Sequence, residues 1–286
     1  MRWKGRRQSD NVEDMRGKTA KKAAVGGIGV IVIAAIIMLL GGSPEDVMKV
    51  VNTTQSMSQS SNEPYVLSQE DKELGEFVSV VLADVEDVWT EIFRTNGMEY
   101  RKPRLVLFSD AVTSACGFAQ AATGPFYCPG DEKVYIDLAF FKEMKDRLNA
   151  PGDFAWAYVI AHEVGHHVQT LLGVMEQVQG LRNRMEQIQY NKLMVCLELQ
   201  ADFYAGIFAH YAERKLNVLE EGDIEEAMNA ASAVGDDRLQ KMQTGWVVPD
   251  SFTHGTSKQR MEWFMRGYRT GDISQGDTFS YYGFSK

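Results

Sequence analysis

His162-Glu163-Val164-Gly165-His166 places two imidazoles and a carboxylate at the spacing a metal-binding helix requires. At 3.6 residues per turn, positions i and i+4 share one face, so His162 and His166 can hold one ion together. Glu163 is rotated by about 100° from His162, which sets it beside such an ion rather than on it. From there a carboxylate can take a proton from a water bound to the metal. The chemistry this spacing suggests is zinc-assisted hydrolysis.

Two histidines do not close a catalytic zinc site, which takes three protein ligands and keeps a further position open. A third histidine in the HExxHxxGxxH pattern would fall at position 172, but Leu172 stands there and Gln169 replaces the glycine. The better candidate is Glu198, in the largely apolar run Cys196 to Gly206. Asp202 lies one turn beyond it, and two carboxylates at i and i+4 repel unless a cation lies between or beside them. Glu198 is therefore read as the third ligand, and Asp202 as a group that orients a ligand or an arginine. The alternative is that both face solvent. His167 points about 100° away from His166 and is read as supporting the site or packing structurally. Further along, His254 sits in a loop rich in Thr, Gly and Ser, just before a helical stretch containing Trp263 and Phe264. Arg260 could brace Asp202; a surface histidine and a solvated arginine are the plainer alternatives.

These groups need rigid carriers. Ala155 to Leu172 is apolar on more than one face, which predicts a buried helix, with Asp153 as N-cap and Gly173 as its stop. Glu70 to Arg94 repeats apolar residues at helical spacing and ends near Gly97. Val174 to Arg214 reads as helix in two pieces, and Asp223 to Gly235 as another. Arg104–Phe108 and Lys133–Asp137 are the clearest strands, the latter suited to an edge above the metal helix, where an extended peptide could pair. The fold class expected is a helix-rich α+β domain over residues 69–286. An acidic domain with no phosphate-binding glycine loop argues against a nucleic-acid or nucleotide role.

At HEVGHH (162–167), ELQAD (198–202) and THGTSKQR (253–260), the chain resembles the YpfJ-like neutral zinc metallopeptidases of bacteria. The opening MRWKGRRQSDN and the run Gly124 to Pro129 are similar to that family too. The resemblance implies a zincin-like, membrane-anchored hydrolase of peptide bonds using one zinc ion, in which a downstream histidine, here His254, donates a hydrogen bond to the developing oxyanion. It also implies a cysteine pair where this chain has Phe203 and Gly276.

Residues 23–42 carry no charge, and about 20 apolar residues span a roughly 30 Å hydrocarbon core as one helix. Eight basic and three acidic residues precede it, whereas the whole chain is at −9. The positive side stays inside. Residues 1–22 are thus expected as a basic cytoplasmic tail, 23–42 as a transmembrane helix, and 43–68 as a polar, flexible linker. The catalytic domain is then expected outside the inner membrane. A cleaved signal peptide is the rival, with an unusually long charged region. Cys116 and Cys128 flank a Gly- and Pro-containing loop and could bridge in such a compartment; they could also bind metal or stay reduced. Cys196 reads as a buried thiol. The function expected is a membrane-anchored zinc endopeptidase acting on peptides or proteins. A zinc-bearing scaffold with vestigial activity and an amidase acting on cell-wall amides are the alternatives.

Overall fold

The computed structural model describes residues 1–17, 67–120 and 124–284. The chain forms two compact units, Met1–Met15 with Gln69–Lys286, and Arg16–Ser68. The transmembrane helix expected at 23–42, and nearly all of the linker, lie outside the described residues. Among the described residues no helix is long and apolar enough to cross a membrane.

The first unit is helix-rich α+β. Its four-stranded sheet runs in the order β1 (Val12–Asp14), β2 (Arg104–Phe108), β6 (Lys133–Asp137), β5 (Phe126–Cys128). The first two pairings are parallel and the last antiparallel. The near-continuous apolar runs of β2 and β6 follow from their central place, covered on both faces and buried from Leu105 to Phe108 and from Val134 to Asp137. Lys133–Asp137 is therefore not the edge strand expected from sequence. The edge beside it is β5, too short at three residues to show an alternating pattern. A hairpin of β3 (Ala111–Ser114) and β4 (Gly117–Gln120) stands beside the sheet, and the Cys116–Cys128 disulfide ties it to β5.

The helices are α1 (Gln69–Thr95), α2 (Ala139–Asp146), α3 (Asp153–Leu171), α4 (Val174–Gly180), α5 (Gln187–Arg214), α6 (Asp223–Ala233), α7 (Asp236–Thr244), α8 (Ser257–Thr270) and α9 (Thr278–Tyr281). Asp153 is the first residue of α3 rather than its cap, which is Gly152. Gly173 stops that helix in the left-handed conformation, as expected. α3 is apolar around most of its circumference because α5, α6, α1 and the sheet all pack on it.

Two close crossings fix the geometry of the site. A Cβ at Gly165 would lie 3.1 Å from the backbone of Ala201, so the glycine between the two imidazoles lets α3 lie against α5. At the α5–α8 crossing, a Cβ on Gly206 would meet the Phe264 carbonyl, and one on Gly267 the Phe203 carbonyl. A Cβ on Gly276 would touch the Phe203 ring, so the two positions of the implied cysteine pair do adjoin.

The largest departure from the sequence reading is at the amino terminus. A basic tail set apart from the catalytic domain was expected over 1–22, yet Met1–Met15 fold into the same unit as residues 69–286. β1 extends the sheet, and the residues before it lie along α1.

Candidate metal centre

His162 and His166 come from one face of α3, and Glu198 from the helix that crosses it at Gly165. Glu198 Oε2 lies 3.2 Å from His162 Nε2, and Oε1 lies 3.5 Å from His166 Nε2. A tetrahedral zinc with bonds of about 2.0–2.1 Å holds neighbouring ligand atoms roughly 3.3–3.4 Å apart, so this separation suits a shared ion. The three residues form one group whose ligand atoms all fall within 4.8 Å of one another.

The tautomers agree. His162 Nδ1 donates to Asp202 Oδ1 at 2.8 Å, and His166 Nδ1 donates to Gln169 Oε1 at 2.9 Å. With each Nδ1 carrying the proton, each Nε2 presents a lone pair toward the Glu198 carboxylate. Lone pairs facing an anion need a cation between them, or a second proton on each ring. Without an ion, burial pulls both imidazoles down, but the charges of Asp202 and Glu198 prevail. His162 is raised to about 9, and His166 is raised as well. Burial would raise Glu198, yet His166 and His162 hold it well below the usual carboxylate range. The donor set is that of a divalent cation held by neutral imidazoles and a carboxylate.

Asp202 is wholly buried and receives three donors besides the imidazole. Arg260 Nε donates to Oδ2 at 2.8 Å and Nη2 to Oδ1 at 2.9 Å, a two-pronged pair, and the Tyr158 hydroxyl donates to Oδ1. Burial would raise Asp202, but Arg260 and His162 lower it below its ordinary value. Arg260 is itself buried and also reaches the Val234 carbonyl at 3.2 Å. Asp202 and Arg260 thus lie behind His162.

On the other side, Gln169 donates to the Leu197 carbonyl and to Gln200, which donates in turn to the Gly276 carbonyl. Gln169, which stands where the longer zinc motif has glycine, is the residue that orients His166.

Glu163 is buried beside the two imidazoles, where burial lifts its carboxyl above the usual range while His166 and His162 pull it down. His167 faces away. Its Nε2 donates to the Arg101 carbonyl at 2.6 Å and its Nδ1 accepts from the Tyr127 hydroxyl at 3.1 Å, so it pins α3 to β5 structurally. Cys196 is a buried thiol, as read.

His254 lies in the loop before α8, half-exposed, with Nδ1 3.1 Å from Asp236 Oδ1. Asp236 Oδ2 accepts the backbone N–H groups of Thr253, His254 and Gly255 at 2.8, 2.7 and 3.1 Å, so one carboxylate sets both the loop and the ring. That hydrogen bond raises His254 against the effect of burial, and the charge of Glu198 adds to it.

Three residues of this arrangement escaped the sequence reading. Tyr158 is one turn before His162 and Gln169 three residues after His166, so both share the ligand face and helical spacing alone could have raised them. Asp236 offers no such signal, because its partners are 17 to 19 residues away.

Among known proteins, the uncharacterized protein YpfJ of Escherichia coli (strain K12) is 47% identical over 286 residues, covering 98% of this chain and 99% of that protein. The uncharacterized protein Rv2575 of Mycobacterium tuberculosis (strain H37Rv) is 44% identical over 192 residues, 63% of this chain and 64% of that protein. No solved structure matches. The family described as "Putative neutral zinc metallopeptidase" matches residues 1–279, so the chain belongs to that family.

Proposed function

We propose that the chain is a zinc-dependent peptidase whose metal is held by His162, His166 and Glu198. The observation that carries this reading is the convergence of two Nε2 lone pairs and a carboxylate on one point, with the buried Glu163 alongside. When bound, zinc supplies Lewis acidity, polarising an amide carbonyl and making water acidic enough to lose a proton near neutral pH. Glu163 takes that proton and passes it to the departing amine. His254, engaged at Nδ1 by Asp236, donates from Nε2 to the carbonyl oxygen as charge develops there. Asp202, locked by Arg260 and Tyr158, keeps the His162 ring in the tautomer the ligand role needs. An extended substrate peptide pairs its backbone with the edge at β5, which leans on the metal helix.

The test is metal analysis and cleavage of an unfolded protein such as casein, on the purified full chain. Glu163→Gln is expected to keep about one zinc per chain and to lose turnover by about 10²–10⁴-fold. Glu198→Ala is expected to lose the metal. Full zinc in Glu198→Ala would remove it from the ligand set, and unchanged turnover in Glu163→Gln would remove the general base.

A further inference from the structure

The first fifteen residues are bonded into the catalytic unit along their whole length. Trp3 packs edge-on against Phe77, which packs against Trp156 of the metal helix. The backbone of Arg2 donates to the Val218 carbonyl at 2.7 Å, and the Met1 ammonium lies 2.6 Å from Asp153 at the start of that helix. Arg6 makes a two-pronged pair with Asp84 on α1, at 2.7 and 3.2 Å. Ser9 and Asn11 each donate to Glu86 at 2.7 Å, and Ser9 also exchanges hydrogen bonds with Ser79. β1 then pairs in register with β2, Val12 beside Leu105 through Asp14 beside Leu107.

These contacts explain a feature of α1 that its own amphipathicity does not. Phe77 to Glu86 is buried without a break, so the helix is covered on two faces: the core on one, residues 1–11 on the other. Asp84 and Glu86 are 4% and 1% exposed. Buried carboxylates require donors, and the arginine, serine and asparagine of the amino-terminal segment supply them, joined at Glu86 by Lys102. The family match also begins at residue 1.

We propose that residues 1–15 lie on the same side of any membrane as the metal site, as a built part of the catalytic domain. A chain that leaves this body after Met15 and rejoins it at Gln69 crosses a membrane an even number of times. Residues 23–42 hold enough apolar sequence for one crossing, while 16–22 and 43–68 carry charged and polar runs and no second stretch of that kind. A single crossing by residues 23–42 is therefore incompatible with this docking, and Met1–Met15 do not form a tail in the opposite compartment.

Cysteine accessibility in cells tests this, because Cys116 and Cys128 are bridged and Cys196 is buried. Gln8→Cys and Lys145→Cys, both exposed positions, are placed singly in the full chain. They are treated with a membrane-impermeant maleimide before and after lysis. Both cysteines are expected to behave alike, either both labelled in intact cells or both only after lysis. Labelling of one in intact cells and of the other only after lysis overturns the proposal. On the purified full chain, Arg6→Ala is expected to lower the melting midpoint by about 4–8 °C, since it strands a buried carboxylate. An unchanged midpoint would show that the segment is not docked.

Discussion

In the proposed mechanism, Asp236 sets both the position of His254 and its protonation state as a donor. If the ring were neutral with its proton on Nδ1, facing Asp236, Nε2 would have none to give. Donation to an oxyanion therefore requires the imidazolium, and the hydrogen bond that Nδ1 donates to Asp236, with the charge of Glu198, raises His254 above its ordinary 6.5 to favour that form. Turnover should then fall as pH rises through this elevated value. In Asp236→Asn the main cause of the elevation is gone, so the basic limb of the kcat profile should move to lower pH. His254→Ala should lose about 10²–10³-fold in kcat with KM little changed, as expected for a donor that acts on the transition state. A basic limb in Asp236→Asn that coincides with wild type would separate the two residues. The histidine was visible in the sequence through the THGTSKQR motif it occupies. Its aspartate was not, since nothing local marks which acidic residue a loop folds onto.

The crossing of α5 and α8 is what brings Arg260 to Asp202, and it depends on two glycines at backbone contact. Gly267→Ala would force a methyl group into the Phe203 carbonyl, and neither helix can yield without moving Arg260 from a buried ion pair. The expected cost is about 1–3 kcal/mol, read from denaturant unfolding against wild type, with zinc content falling as His162 loses its orientation. Equal stability would mean that the crossing is less tight than described. These elements were differently legible. The metal helix and α5 announce themselves through apolar residues at helical spacing interrupted by charges that need partners. The sheet order did not, because β5 and β1 are three residues each and take their register from neighbours. The amino-terminal segment misled for a related reason. Basic residues before an apolar stretch look like a cytoplasmic tail, and only their partners, Asp84 and Glu86, show that they are anchored. Those two carboxylates sit on a helix long enough that each passes for a solvated position.

In the whole molecule, the proposed ion joins helices that are already joined without it. Asp202–Arg260, the Gln169–Gln200 chain and the glycine crossings hold α3, α5 and α8 together, so the metal-free protein should fold and zinc should add to its stability by mass action. Each tenfold increase in free zinc above its dissociation constant should contribute about 1.4 kcal/mol, or roughly 3–6 °C in melting midpoint for a domain of this size. The pH dependence separates the two forms. In the metal-free protein His162 is raised to about 9, which contributes stability that is fully present below its unfolded value near 6.5 and lost as pH climbs through about 9. Zinc requires that imidazole, and that of His166, without the second proton, so metal uptake releases protons and its stabilising effect should grow over the same interval. The metal-free midpoint should therefore decline from pH 6.5 toward 9 relative to the zinc-loaded one, and the gap between them should widen. Scanning calorimetry at fixed free zinc and in chelator, at several pH values across that window, checks both slopes. A gap that stays constant with pH would mean that the imidazoles do not give up protons to the metal, and His162 and His166 would then not be its ligands.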